Sequence, residues 1–392
     1  VSVRLITGDC RERLRELEAQ SVHACVTSPP YYALRSYLPD DHPHKHLEIG
    51  LEETPTEFVE CLVELFRDVR RVLRDDGTLW LNLGDSYAGS WGAQSRGGSP
   101  SERSTLKGNG HTGGGPKLKS LSAVQIAAAP KKASHTGTIR QAGLKPKDLI
   151  GVPWEVAFAL RADGWWLRSA IIWAKPNVMP GSQEDRCTSS YEMVFMLSKS
   201  ATYWSDFDAI KTPPRESSLV RTAQDVQAQA GSHRATVGAK TNGPMKAVGG
   251  LTGRPHGRHS LGDAIPPKER RTNKQAGHGN RNYTGFNDRW DAAEVDGPRP
   301  AMMRDVWFVP PAQYSAAHYA VMPDEIARRC ILAGCPEGGT VLDPFGGAGT
   351  TGLVADRLGR SAVLIELDDA NVTLARTRIE GDAGMFADVE AA

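Results

Sequence analysis

Apolar positions along the chain change period repeatedly, and the changes outline alternating strands and helices. Val3-Arg4-Leu5-Ile6 reads as a short strand, followed after Gly8-Asp9 by a helix over residues 11–17. Residues 23–27 form an apolar run of buried-strand length that stops abruptly at Ser28-Pro29-Pro30-Tyr31-Tyr32. Phe58, Leu62, Leu65, Phe66, Val69 and Leu73 recur at helical spacing, closed by Asp76-Gly77 ahead of a strand over 78–83. A second patterned block, 149–210, predicts a helix over 156–162 and strands over 167–173 and near 193–197. The third, 305–380, predicts a helix over 323–333, a strand over 340–342, a helix over 350–358 and a strand over 361–365. Strands alternating with helices predict an α/β fold, a mostly parallel sheet covered by helices on both faces. No internal repeat is evident.

Between the blocks the periodicity is lost. Residues 88–147 hold ten Lys/Arg and one acid, and residues 211–289 hold fourteen against five. The whole chain of 392 residues nevertheless carries a net charge of only +1, so the patterned blocks together are acidic. Solvated insertions and a polyanion-binding surface both fit the basic stretches. The expected organisation is thus 1–87, an insertion at 88–148, a continued core at 149–210, a basic region at 211–304, a second half at 305–380 and a tail at 381–392. No apolar run reaches the roughly 18 residues of a membrane span. The opening VSVRLITGDCRERL lacks the apolar core of a signal peptide. Six cysteines without a CxxC pair disfavour zinc ribbons and a disulfide framework, fit a reducing cytoplasm, and suggest no metal.

Two turns hold the candidate chemistry. Leu342-Asp343-Pro344-Phe345-Gly346-Gly347-Ala348-Gly349-Thr350 joins a strand to a helix. It lacks the Gly-Lys-Ser/Thr of a P-loop and fits the dinucleotide GxGxxG imperfectly. The next strand ends in Glu366, where an acid typically grips ribose hydroxyls, so a nucleoside-type cofactor is expected. The other turn, Ser28-Pro29-Pro30-Tyr31, is stiffened by two prolines. A serine hydroxyl and a proline carbonyl can accept both hydrogens of an exocyclic amine, and Tyr31 offers a face on which a base can stack.

Together these residues resemble the DNA amino-methyltransferases, whose signatures are (Ser/Asp/Asn)-Pro-Pro-(Tyr/Phe), here residues 28–31, and FxGxG, here residues 345–349. The order, tetrapeptide first and glycine turn last, resembles the circularly permuted β class. The resemblance implies a Rossmann-like S-adenosylmethionine-dependent methyltransferase fold with a basic inserted recognition region. It implies S-adenosylmethionine as cofactor, contacted by Asp9, Asp343, Phe345, Gly347, Gly349, Thr350 and Glu366. His318, in a His-x-(Pro/Ala)-x-x-Pro-like segment ending at Pro323, would close over the methionine part. Ser28, Pro29, Pro30 and Tyr31 would hold a base flipped out of double-stranded DNA. Ser28 tilts the resemblance toward cytosine N4, with adenine N6 as the alternative. An RNA or protein methyltransferase and a non-catalytic DNA-binding protein are the other classes in play. A homodimer and a cognate restriction enzyme are candidate partners, and a cytoplasmic, nucleoid-associated location is expected. Asp85 is ambiguous between the base pocket and a capping role at a strand end.

Overall fold

The structure, a computed structural model, describes residues 1–34, 36–88, 143–145, 147–178, 184–213, 302–312, 321–384 and 388–391. Val1–Ile210 and Met302–Ala392 form one unit, and Lys211–Ala301 form a second, of which only 211–213 are described.

Among the described residues the first unit holds nine strands: β1 (Val3–Thr7), β2 (Val22–Thr27), β3 (Leu73–Leu83), β4 (Trp166–Ala174), β5 (Tyr191–Ser198), β6 (Val306–Phe308), β7 (Thr340–Asp343), β8 (Ser361–Glu366) and β9 (Val389–Ala391). Their order across the sheet is β6-β4-β5-β3-β2-β7-β8-β1-β9. Only β5 runs antiparallel to its neighbours, β3 and β4. Helices α1 (Cys10–Glu16), α2 (Pro55–Val72) and α3 (Val152–Ala162) pack on one face. The opposite face is covered by α4 (Asp324–Gly334), α5 (Thr350–Arg357) and α6 (Asp369–Ala383).

Local sequence explains the best-defined helix. Thr54 caps α2, accepting from the Glu57 amide while the Glu57 carboxylate accepts from the Thr54 amide, and Pro55 occupies the first turn. Phe58, Leu62, Leu65, Phe66 and Val69 then bury one stripe against the sheet. The predicted mostly parallel α/β architecture is the one observed. Three elements were not anticipated, namely β6, α6 and β9, and β9 draws the expected C-terminal tail into pairing with β1.

Topology places the crevice. From β2 the chain moves through α2 to β3 on one side, and from β7 through α5 to β8 on the other. β2 and β7 are parallel neighbours, so their carboxyl ends flank a switch point where α/β sheets bind ligands. The described flanks of the first insertion meet beside this frame. Tyr87 and Leu149 form an antiparallel bridge, and Ala88 and Lys147 extend it, so the chain departs and returns at one point.

Candidate active site

A cavity of about 420 Å³ opens at the carboxyl ends of β1, β2, β7 and β8. Ser28, Pro29, Pro30 and Tyr31 line it beyond β2, and Asp343, Phe345, Gly347 and Thr350 line it beyond β7. Asp9 and Glu366 close it beyond β1 and β8. The two turns, more than 300 residues apart in sequence, thus face one space.

The glycine turn is tied to Glu366. The Gly347 amide donates to Glu366 Oε2 at 2.8 Å, and the Asp368 amide donates to Oε1 at 3.0 Å. Burial raises the Glu366 pKa, and these amide bonds oppose the shift. Gly347 has φ +50°, and a Cβ there would meet nothing closer than the Phe345 carbonyl oxygen at 3.9 Å. That bare position, the carboxylate beside it and the cavity volume suit a nucleoside-bearing cofactor, so S-adenosylmethionine fits the residues present. Gly349 behaves differently. It does not line the cavity, and a Cβ there would come within 2.8 Å of Ala375 Cβ on α6. At Gly349 the turn packs closely on α6.

Three other expected cofactor contacts line the cavity with their polar ends engaged inside the protein. Asp343 accepts from Thr27 Oγ1 at 2.6 Å, Thr351 Oγ1 at 2.7 Å and the Phe345 amide at 3.0 Å. It thereby ties β2, β7 and α5 together, and burial pushes its pKa up to about 7. Asp9 caps α1 through the Arg11 amide and is held by the Arg11 guanidinium at 2.7 Å. The Thr350 hydroxyl accepts from Arg378 at 2.8 Å. His318 lies outside the described residues. Asp85 resolves to the capping role: it accepts from the Ser86 and Gly151 amides at 2.8 and 3.0 Å, fastening the start of α3.

Sequence reasoning missed the wall opposite the glycine turn. Asn82 on β3, Trp173 on β4, Lys175 just beyond it and Glu192 on β5 also line the cavity. The Tyr31 hydroxyl donates to Glu192 Oε2 at 2.6 Å and accepts from Asn82 Nδ2 at 2.8 Å. Asn82 Nδ2 lies 3.3 Å from Ser28 Oγ, and Glu192 is ion-paired with Lys175. The Lys175 ammonium also sits 4.6 Å over the Trp173 ring. Burial, then the Glu192 carboxylate, hold the Tyr31 phenol well above the usual tyrosine range. One signal could have found Glu192: it is the lone acid at the start of an otherwise apolar strand.

The sequence matches the profile of the N6/N4 family described as DNA methylase over residues 22–377. It is 34% identical over 378 residues to the Type II methyltransferase M.SmaI of Serratia marcescens, spanning 96% of this chain and 91% of that protein. M.Cfr9I of Citrobacter freundii, another Type II methyltransferase, is also 34% identical over 378 residues, covering 96% and 88%. Among solved structures, the PvuII DNA methyltransferase, titled cytosine-N4-specific, superposes with a TM-score of 0.51 at 14% identity. That match covers 96% of this chain and 86% of the other and shows a shared fold.

Proposed function

The chain belongs to the N6/N4 DNA methylase family, and on that premise we propose that the base it methylates is cytosine, at N4. It is an S-adenosylmethionine-dependent DNA amino-methyltransferase. The choice of base is supported by Ser28 at the head of the tetrapeptide.

S-adenosylmethionine, when bound, supplies an electrophilic sulfonium methyl group. Glu366 and the Gly347 turn would hold its nucleoside end, with Phe345 beside it. The Ser28 hydroxyl and Pro29 carbonyl would accept the two hydrogens of the extruded amine and orient it. The Tyr31 ring would offset part of the few kcal/mol spent on leaving the stack, at about 1–3 kcal/mol per stacked base. No cysteine stands in the tetrapeptide, and attack by an exocyclic amine needs none.

The basic stretches are assigned separate tasks on their position in the β-class order and on their aromatic content. Residues 211–304 would read the target sequence, and 88–148 would clamp the phosphate backbone. The Type II names of the relatives support a place beside a restriction enzyme. Among the described residues no helix is long and apolar enough to cross a membrane, in keeping with work on DNA in the cytoplasm.

The observation that carries the reading is the meeting of the Ser-Pro-Pro-Tyr and glycine turns in one cavity. Incubation with duplex DNA and labelled S-adenosylmethionine, followed by digestion to nucleosides, tests it. Labelled N4-methylcytosine is expected. N6-methyladenine would overturn the choice of base, and label absent from DNA would overturn the activity.

A further inference from the structure

The Tyr31 hydroxyl has no capacity left for a ligand. It accepts from Asn82 Nδ2 at 2.8 Å and from Ser28 Oγ at 3.4 Å, and it donates its single proton to Glu192 Oε2. Behind the ring lies Gly84, where a Cβ would fall 2.5 Å from Tyr31 Cε2. The Gly84 backbone therefore packs closely on the ring at Cε2 and Cδ2, and the hydroxyl is moored at its far end. Glu192 is itself held, because Lys175 pairs with its other oxygen.

The orientation of Asn82 points the same way. Its amide oxygen is buried with no hydrogen-bond partner among the described residues. An unpartnered buried acceptor costs about 1–3 kcal/mol. Turning the amide over would instead set that oxygen against the Glu192 carboxylate, which Asn82 Nδ2 now meets at 3.1 Å. The donor end is thus committed to the Tyr31–Glu192 pair at the expense of stability, as buried polar groups often are at functional sites.

We propose that Glu192, braced by Lys175 and Asn82, is a positioning residue for methyl transfer. It fixes the Tyr31 ring where it lines the cavity, ready for the extruded base, and the tyrosine hydroxyl serves this mooring rather than the base. The inference rests on the reading of residues 28–31 as the base-holding turn. It applies equally to cytosine and adenine, since either presents a flat ring and an exocyclic amine. Preorganisation acts on the rate more than on ground-state binding, because a swinging ring is costly chiefly when the amine must align with the methyl group.

Tyr31→Phe isolates the tether, since it keeps the ring and removes one oxygen. Full-length Tyr31→Phe, Glu192→Ala, Glu192→Gln and the Tyr31→Phe/Glu192→Ala double variant are compared for single-turnover methylation of duplex DNA. KM for DNA and S-adenosylmethionine affinity by calorimetry are measured alongside. Tyr31→Phe and Glu192→Ala should each slow methylation about 10- to 100-fold, the value of a hydrogen bond to a charged group. KM and cofactor affinity should stay near the parent values, and the double variant should be no slower than the slower single. Glu192→Gln, which retains an acceptor for the phenol, should recover most of the rate. If Glu192→Ala misfolds, Tyr31→Phe and Glu192→Gln still decide. Parent-like rates in Tyr31→Phe, or additive losses in the double variant, would overturn the proposal while leaving the methyltransferase reading standing. A parent protein that labels no DNA would instead overturn that reading.

Discussion

Gly347 and Gly349 both adopt positive φ, yet a side chain would do different damage at each. At Gly349 the added Cβ strikes Ala375 on α6. Gly349→Ala should therefore lower folding stability by about 1–3 kcal/mol through strain and overpacking, read by chemical denaturation. At Gly347 the space is open, so Gly347→Ala should cost only about 1 kcal/mol of stability. Its main effect should be loss of S-adenosylmethionine affinity in calorimetry. Equal stabilities with equal affinities would contradict the assignment of the two positions. Asp343 gives a pH prediction. Its folded pKa of about 7 lies above its ordinary value of 3.8, so the folded chain holds the proton more tightly than the unfolded one. The resulting stabilisation is complete below the unfolded pKa and is lost as pH rises through about 7. Asp343→Asn does not titrate. Between about pH 5 and about pH 8 the parent should lose on the order of 2–4 kcal/mol relative to this variant. Parallel stability profiles would show that Asp343 ionises normally.

Elements differ in how much of their structure is local. Helix α2 announces itself through its capping box, its proline and a full apolar stripe. Thr54→Ala should cost about 1 kcal/mol in denaturation and leave cofactor affinity unchanged, because the cap lies away from the cavity. Helix α6 gives no such notice. Only Val372, Ala375 and Ile379 are buried among its fifteen residues, too sparse a stripe to separate from a loop. Strands β6 and β9 have three residues each, shorter than any alternation can establish, and exist by pairing with β4 and β1. Strand β5 was legible as a strand, but its antiparallel direction was not, because direction depends on the partner across the sheet.

At the scale of the whole molecule, the bridge between Tyr87 and Leu149 holds the two flanks of the first insertion together. Deleting residues 89–142 should leave S-adenosylmethionine binding intact and weaken binding to all DNA sequences alike. The dependence of log affinity on log salt should flatten by about 0.9 for each phosphate that the protein no longer neutralises. Relaxed sequence specificity from this deletion would instead assign target reading to the first insertion. The sequence alone was enough to establish the alternating α/β blocks, the two turns, the pairing of Glu366 with a glycine turn and the family resemblance. Those features rest on local physics: period, proline rigidity, glycine freedom and the position of an acid at a strand end. Tertiary structure decided how the turns are furnished. Tyr31 and Glu192 are 161 residues apart, and they meet because β5 lies antiparallel beside β3, one strand from β2. The inward engagement of Asp343 and the packing of Gly349 on α6 likewise follow from strand order and helix placement. Long-range pairing sets these contacts, and no local pattern of residues encodes which strand becomes whose neighbour.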